Sequence, residues 1–305
     1  MRIYNRQFDE AQKDYQKLWA FLVDDYADKQ GHFIWTIGRL GDWPNSLTYE
    51  HGHFFPSYMR NNAQLWLNGI DELVGFAISE NGNASFYVLA RRGHEFLYGE
   101  MIEWVKANWN DKKGELSTQV DEGQSILMQA LDKADFKKGD ANEVTRQYDL
   151  LNMDLTAPVL PEGIEIKDMF AYPNVYGSIL VGANAWHDKN EISDFDIAKY
   201  EFRRENPCYF PHLDIYAENI KDKLVVANCN AFVDYKNNYA EIERVCTHNE
   251  YRNKGLAQAV IIECMRRLRG EGVKYAYIGG SSEAAINLYG KFEFIAIRYS
   301  YRYSI

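Results

Sequence analysis

Leu256, Val260, Ile261, Cys264 and Leu268 stand at helical spacing in an otherwise polar stretch, so one apolar stripe runs along a helix spanning residues 255–269. Around that helix the apolar positions fall into short runs of strand length bounded by turn residues. They predict a strand at 164–166, helical segments at 175–185 and 195–204, a hairpin of 213–218 and 224–234 turning at 219–223, and a strand at 239–245. Beyond the helix come a strand at 274–278, a short helix at 283–291 and a strand or hairpin at 294–303. The predicted order is strand, two helices, three strands, helix, strand, helix, strand.

The first half carries a blurred version of the same order. Its pattern predicts a strand at 2–4, a helix at 9–26, a hairpin over 64–79 turning near 68–72, a strand at 84–90, a helix at 96–109, a strand at 115–119, a helix at 124–133 and a strand at 144–150. Between the halves, Leu155-Thr156-Ala157-Pro158-Val159-Leu160-Pro161-Glu162-Gly163 sets two prolines and a glycine where neither a helix nor a central strand continues. A length of 305 residues also exceeds the usual single domain. The expected organisation is two domains, 1–155 and 161–305, related by duplication; chance similarity of two unrelated α/β segments is the competing explanation.

Composition narrows the function classes. With 46% apolar and 26% charged residues the chain is that of a globular protein able to bury a core. A formal net charge of −10 supplies no basic field for a phosphate backbone, so no nucleic-acid partner is expected. The same charge mildly favours cationic small molecules, although solubility alone also accounts for it. Cys208, Cys229, Cys246 and Cys264 form no Cys-x-x-Cys pair and no cluster with histidine, so they are expected to be reduced and structural, with no metal. The first residues run into a polar helix without an apolar signal core, and no stretch approaches the about 20 apolar residues of a membrane span. A cytoplasmic protein with no membrane partner is expected.

The chemistry concentrates in Glu241-Ile242-Glu243-Arg244-Val245-Cys246-Thr247-His248-Asn249-Glu250-Tyr251-Arg252-Asn253-Lys254-Gly255-Leu256-Ala257. A strand ends near Val245, a polar loop turns, and the helix opens at Gly255. Unpaired N–H groups and the positive end of the dipole at such a helix start suit a pyrophosphate. Gly255 and Ala257 have almost no side chain to block its approach.

This segment resembles the acyl-CoA-binding motif of the GNAT superfamily of N-acyltransferases, Arg/Gln-x-x-Gly-x-Gly/Ala, in its family context of a strand ending Val-x-Thr, a tyrosine before the arginine and an amphipathic helix after it. Asn287-Leu288-Tyr289-Gly290-Lys291-Phe292-Glu293-Phe294 is similar to the second family signature, Asn-x-Tyr-x-x-x-Gly-Phe. Glu293 departs from the family glycine at a turn that takes positive φ, a conformation glutamate adopts less readily.

The resemblance implies an α/β (α+β) fold of two tandem GNAT-like domains, each a mixed, mainly antiparallel twisted sheet flanked by helices. It implies acetyl-CoA as acyl donor co-substrate and a primary amine on a small molecule, peptide or protein as acceptor. Val245, Cys246 and Thr247 would bind the pantetheine amides like an added strand. Arg252, Asn253, Lys254, Gly255, Leu256, Ala257 and Gln258 would hold the pyrophosphate, and Asn287 would contact the pantetheine arm. Tyr289 would protonate the leaving thiolate. Glu243, two residues before Val245 and so on the same strand face, is the candidate base, with Glu241 a weaker one; Glu243 pairing with Arg244 or solvent is the plainer alternative. Trp186-His187-Asp188 is either part of the acceptor pocket or a solvent-facing helix end.

The corresponding place in the first half is degenerate. With Val88 set against Val245, Glu95, Tyr98 and Glu100 stand where Arg252, Gly255 and Ala257 do, and Leu131 stands opposite Tyr289. Carboxylates and a ring oppose a pyrophosphate, and leucine donates no proton. Trp35, Arg39, Trp43 and Tyr49 fit either a packed core or a ligand cleft. Two other functions stay open: a non-catalytic acyl-CoA sensor, which has no evident need of the Tyr289 phenol, and an aminoacyl or peptidyl transferase, which needs a basic groove that the acidic balance opposes.

Overall fold

The computed structural model describes residues 2–29, 35–43, 57–156 and 158–305; Tyr49 lies outside them. The chain forms two compact units, Met1–Val144 with Arg298–Ile305, and Thr145–Ile297.

The first unit runs β1 (Ile3–Gln7), α1 (Asp14–Lys29), α2 (Ile37–Asp42), α3 (Ser57–Asn62), β2 (Ala63–Asn68), β3 (Leu73–Ile78), β4 (Ser85–Ala90), α4 (Tyr98–Trp109), β5 (Ser117–Asp121), α5 (Ser125–Lys133) and the start of β6 (Lys137–Asp149). The second continues from the end of β6 through β7 (Ile164–Asp168), α6 (Val175–His187), α7 (Asp194–Arg203), β8 (Tyr209–Asn219), β9 (Leu224–Asp234), β10 (Tyr239–Thr247), α8 (Leu256–Gly270), β11 (Tyr275–Gly280) and α9 (Glu283–Tyr289). The last strand, β12 (Ala296–Ser304), lies mostly in the first unit. Helices α2 and α3 go unpredicted by the sequence pattern because six residues are too few for helical periodicity to register.

Each sheet is mixed and mainly antiparallel. In the first unit the order is β1-β2-β3-β4-β5-β12, with β4 and β5 the parallel pair. In the second it is β6-β11-β10-β9-β8-β7, with β10 and β11 parallel. The strand that closes the first sheet, β12, thus comes from the far end of the chain, whereas β6 directly precedes the unit whose sheet it closes. β12 pairs antiparallel with β5 from Ser300↔Asp121 to Ser304↔Ser117, and its period-two alternation puts Tyr303 into the first core beside Phe86, Leu131 and Phe136. Tyr148, Leu150, Met153 and Leu155, which precede the proline-rich joint, belong to the second core with α8. The units therefore divide before that joint, at 144/145, and take the last eight residues back to the first.

Trp35 and Trp43 are fully buried and meet edge to face, ring centroids 6.1 Å apart, while Arg39 Nη2 bonds Glu80 Oε2 at 2.5 Å and the Tyr87 hydroxyl at 2.9 Å. They are packed core of the first unit.

In the second unit neighbouring residues of β8 serve opposite layers: Ile215 packs into the core containing α8, and Tyr216 into a smaller one with Val181 of α6. Helices α8 and α6 therefore cover opposite faces of the sheet. All four cysteines are buried and free. Among the described residues no helix is long and apolar enough to cross a membrane, and no group of three or more His, Cys, Asp or Glu side chains is placed to hold a metal.

Candidate active site

The site begins where two strands part. β10 and β11 pair over three residues, Tyr239↔Tyr275 to Glu241↔Tyr277. Against β9, β10 keeps register to Glu243↔Asn230 and resumes at Cys246↔Asn228, so Arg244 and Val245 together oppose one residue. Arg244 accommodates this bulge at φ 57°. The edge of β10 from Val245 to Thr247 is left beside a cleft.

That cleft is a cavity of about 820 Å³. Val245, Cys246 and Thr247 line it on β10; Arg252, Asn253, Gly255, Leu256, Ala257 and Gln258 on the loop and the start of α8; Asn287 and Tyr289 on α9. Eleven of the thirteen residues singled out from the sequence thus meet in one place. Lys254 is not part of the lining: its Nζ donates to the Glu250 carbonyl at 3.2 Å and sits 4.6 Å from the centre of the Tyr251 ring. Glu243 lines neither this cavity nor the smaller one beside it, and is exposed. Counting two residues back from Val245 places it on the cavity face only if the strand is regular, and the bulge breaks that alternation.

The phosphate end is built by the backbone. Gly255 is the N-cap of α8 at φ 76°, with open space where a Cβ would stand and no side chain capping the helix. The amides of the first turn are left to a ligand. The loop leading there is fixed from α6: Arg252 Nη2 donates to the Ala185 carbonyl at 2.8 Å, the Asn249 amide to Asn184 Oδ1 at 2.8 Å, and Asn249 Nδ2 to Asp188 Oδ1 at 2.7 Å. Asp188 itself turns the end of α6 at φ 54°.

The other end is Tyr289. It is 5% exposed, and burial, with the charge of Glu243 next in importance, pushes its phenol well above the ordinary value. At neutral pH the phenol is protonated. Glu293 takes no left-handed φ, unlike Asp135 at the equivalent turn of the first unit, which sits at φ 69°. The side chain is accommodated by a different backbone, and the change stays away from the cavity lining.

The sequence reading missed Ala185, Tyr251, Ser282, Ala284, Ala285, Leu288 and Lys291 as lining residues. For Trp186 the sequence offers two roles, acceptor pocket or solvent-facing helix end. It is 53% exposed, lines the cavity, and is held by Gly182, where a Cβ would meet its ring at 3.0 Å. Tyr251, Leu288 and Lys291 lie inside the two motifs, and a tryptophan at a helix end is a further signal in the sequence; Ala185, Ser282, Ala284 and Ala285 give none.

In the first unit the equivalent helix start is occupied by its own side chains. Glu95 accepts the Gly93 amide at 2.7 Å, the Tyr98 ring is buried, and Glu100 accepts the Trp66 indole N–H at 2.8 Å.

Residues 174–294 match the acetyltransferase (GNAT) family. Among curated proteins none matches the chain. Solved structures similar to it over nearly its whole length include a GCN5-related N-acetyltransferase from Sphaerobacter thermophilus, at 13% identity and TM-score 0.65, covering 98% of this chain and 95% of that one. A tandem GNAT protein from the clavulanic acid biosynthesis pathway aligns at 12% identity and TM-score 0.64, covering 99% and 98%. An acetyltransferase of the GNAT family from Colwellia psychrerythraea aligns at 12% identity and TM-score 0.58, covering all of both chains. At such identities the likeness is one of fold.

Proposed function

We propose that this chain, whose residues 174–294 match the acetyltransferase (GNAT) family, transfers an acetyl group from acetyl-CoA directly to a primary amine. The observation that carries the reading is that one cavity joins the uncapped start of α8 at Gly255 to the buried phenol of Tyr289. The first offers amides and a helix dipole to a pyrophosphate; the second offers a proton to a leaving thiolate.

In the proposed reaction the pyrophosphate lies on the amides from Gly255 to Gln258, and the pantetheine arm runs along Val245 to Thr247 and past Asn287. The neutral amine attacks the thioester carbonyl carbon. A C–N bond forms, the C–S bond breaks, and Tyr289 protonates the departing sulfur. The proton lost by the amine leaves to water, and water returns a proton to the phenolate. The first unit takes no part in donor binding, because Glu95 and Glu100 bring carboxylates to the helix start that a pyrophosphate would need.

The test is calorimetric titration with acetyl-CoA, with Gly255→Glu alongside. One equivalent bound by the parent and none by the variant supports the reading. A parent that binds none removes its premise, and two equivalents would return donor binding to the first unit.

A further inference from the structure

Trp186 borders a second cavity, of about 190 Å³, on the α6 and α7 side of the sheet. The two cavities meet at the bulge in β10. Val245 lines the larger and Arg244 the smaller, and the Cys246 thiol of the larger donates to Asn228 Oδ1 of the smaller at 2.8 Å. A molecule in the small cavity is thus one strand away from the place proposed for the thioester.

Two buried polar residues, Asp214 and Asn230, face each other across β8 and β9 in this cavity, 3% and 5% exposed. Tyr200 and Tyr209 both donate to Asp214 Oδ2, at 2.6 and 2.9 Å, which leaves Oδ1 to a ligand. Asn230 Nδ2 is buried with no hydrogen-bond partner among the described residues. An unpaired buried donor opposes folding unless something else uses it, and a ligand oxygen is the group it lacks. Lys199, Arg203 and Arg244 set three positive side chains in the lining against the carboxylates of Asp196 and Asp214, although the whole chain carries a net charge of −10. The cavity is therefore built for a molecule with both a cation and an anionic oxygen. Facing side chains on neighbouring strands stand about 5 Å apart at Cβ, a separation that suits an ammonium and a carboxylate one or two carbons apart.

We infer that this cavity is the acceptor site and that the acceptor is a small free amino acid, its amine held at Asp214 and its carboxylate by the Asn230 amide and the basic side chains beside it. The inference rests on the acyl-transfer reading for the word acceptor, but binding can be measured without turnover.

The experiment is ligand-observed NMR titration of the full chain with a panel of α- and β-amino acids, their amides, the corresponding decarboxylated amines, and glucosamine 6-phosphate, each with and without acetyl-CoA. At least one amino acid is expected to bind about tenfold or more tighter than its amide and its amine, the scale set by a charge-assisted hydrogen bond. Asn230→Leu and Arg203→Gln should each weaken that binding about tenfold and leave acetyl-CoA affinity unchanged. Because the Asn230 donor has no partner, Asn230→Leu should not lower the melting temperature, so its loss of binding is not a loss of fold. Amides or amines that bind as tightly as the acids, an amino sugar phosphate that outbinds them, or variants that bind as the parent does would overturn the assignment. Acetyl-CoA binding without amino-acid binding sinks this inference alone; amino-acid binding without acetyl-CoA binding supports it and sinks the acyl-transfer reading instead.

Discussion

The hydroxyl of Tyr148 donates a 2.9 Å hydrogen bond to the backbone carbonyl of Tyr289. Tyr148 is fully buried, and its ring meets Phe292 edge to face with centroids 6.1 Å apart. A residue from β6, before the proline-rich joint, thereby positions the end of the short helix that carries the phenol. The second unit begins at β6, not after the joint.

A fragment of residues 161–305 should therefore fail to fold, since it lacks Tyr148, Leu150, Met153 and Leu155 of the core that packs α8. A fragment of 145–297 keeps that core and should show cooperative melting by circular dichroism. Cooperative melting of the shorter fragment would refute the role given to β6.

Tyr289→Phe keeps the ring that packs against Gly280 and removes only the hydroxyl. Loss of a general acid should lower kcat about a hundredfold or more, with acetyl-CoA affinity unchanged in calorimetry. Because burial holds the phenol well above its ordinary value, the parent should show no alkaline loss of kcat attributable to this group below about pH 10. Equal kcat in the parent and the variant would take the proton-donor role from Tyr289.

Most of this architecture was legible because it rests on local signals. The apolar stripe of α8, the hairpin of β8 and β9 and the glycine that opens the helix each reveal themselves within a few residues. What was not legible depends on partners distant in sequence. The pattern over 294–303 predicts a strand or hairpin but not the sheet it joins, and it joins β5. Asp214 and Asn230 look like ordinary polar positions in strands until register sets them face to face, both buried, in one cavity. The bulge at Arg244 defeats the counting that put Glu243 beside Val245.

The first unit gives a prediction of the opposite kind. Glu100 accepts the indole N–H of fully buried Trp66 at 2.8 Å and the Asn5 amide at 3.2 Å. Glu100→Ala leaves a buried donor unpaired and should cost about 1–3 kcal/mol, read as a lower denaturation midpoint. Acetyl-CoA affinity should not change, because that helix start is not the donor site. A change in affinity at unchanged stability would mean that Glu100 acts on binding.

The pH dependence of stability follows from the buried phenols. Burial raises Tyr98, Tyr148, Tyr200, Tyr209 and Tyr289 well above the value of 10.0 expected without it. For Tyr200 and Tyr209 the neighbouring Asp214 carboxylate adds to the effect. The folded chain therefore holds these protons after the unfolded chain has released them. Their contribution is whole below pH 10 and is lost as pH rises beyond it, by up to about 1.4 kcal/mol per pH unit for each phenol. Melting temperature should fall steeply above pH 10, and tyrosinate absorbance from these residues should appear together with the loss of circular dichroism. If the five phenols ionised near pH 10 in a chain that stayed folded, their burial would not control the alkaline limit. Tyr200→Phe offers a local check. It removes one ionisable phenol from the pair on Asp214, so melting temperature should fall less steeply above pH 10 than in the parent, while the unfolding free energy at neutral pH drops by about 1–3 kcal/mol, the scale of a hydrogen bond to a carboxylate.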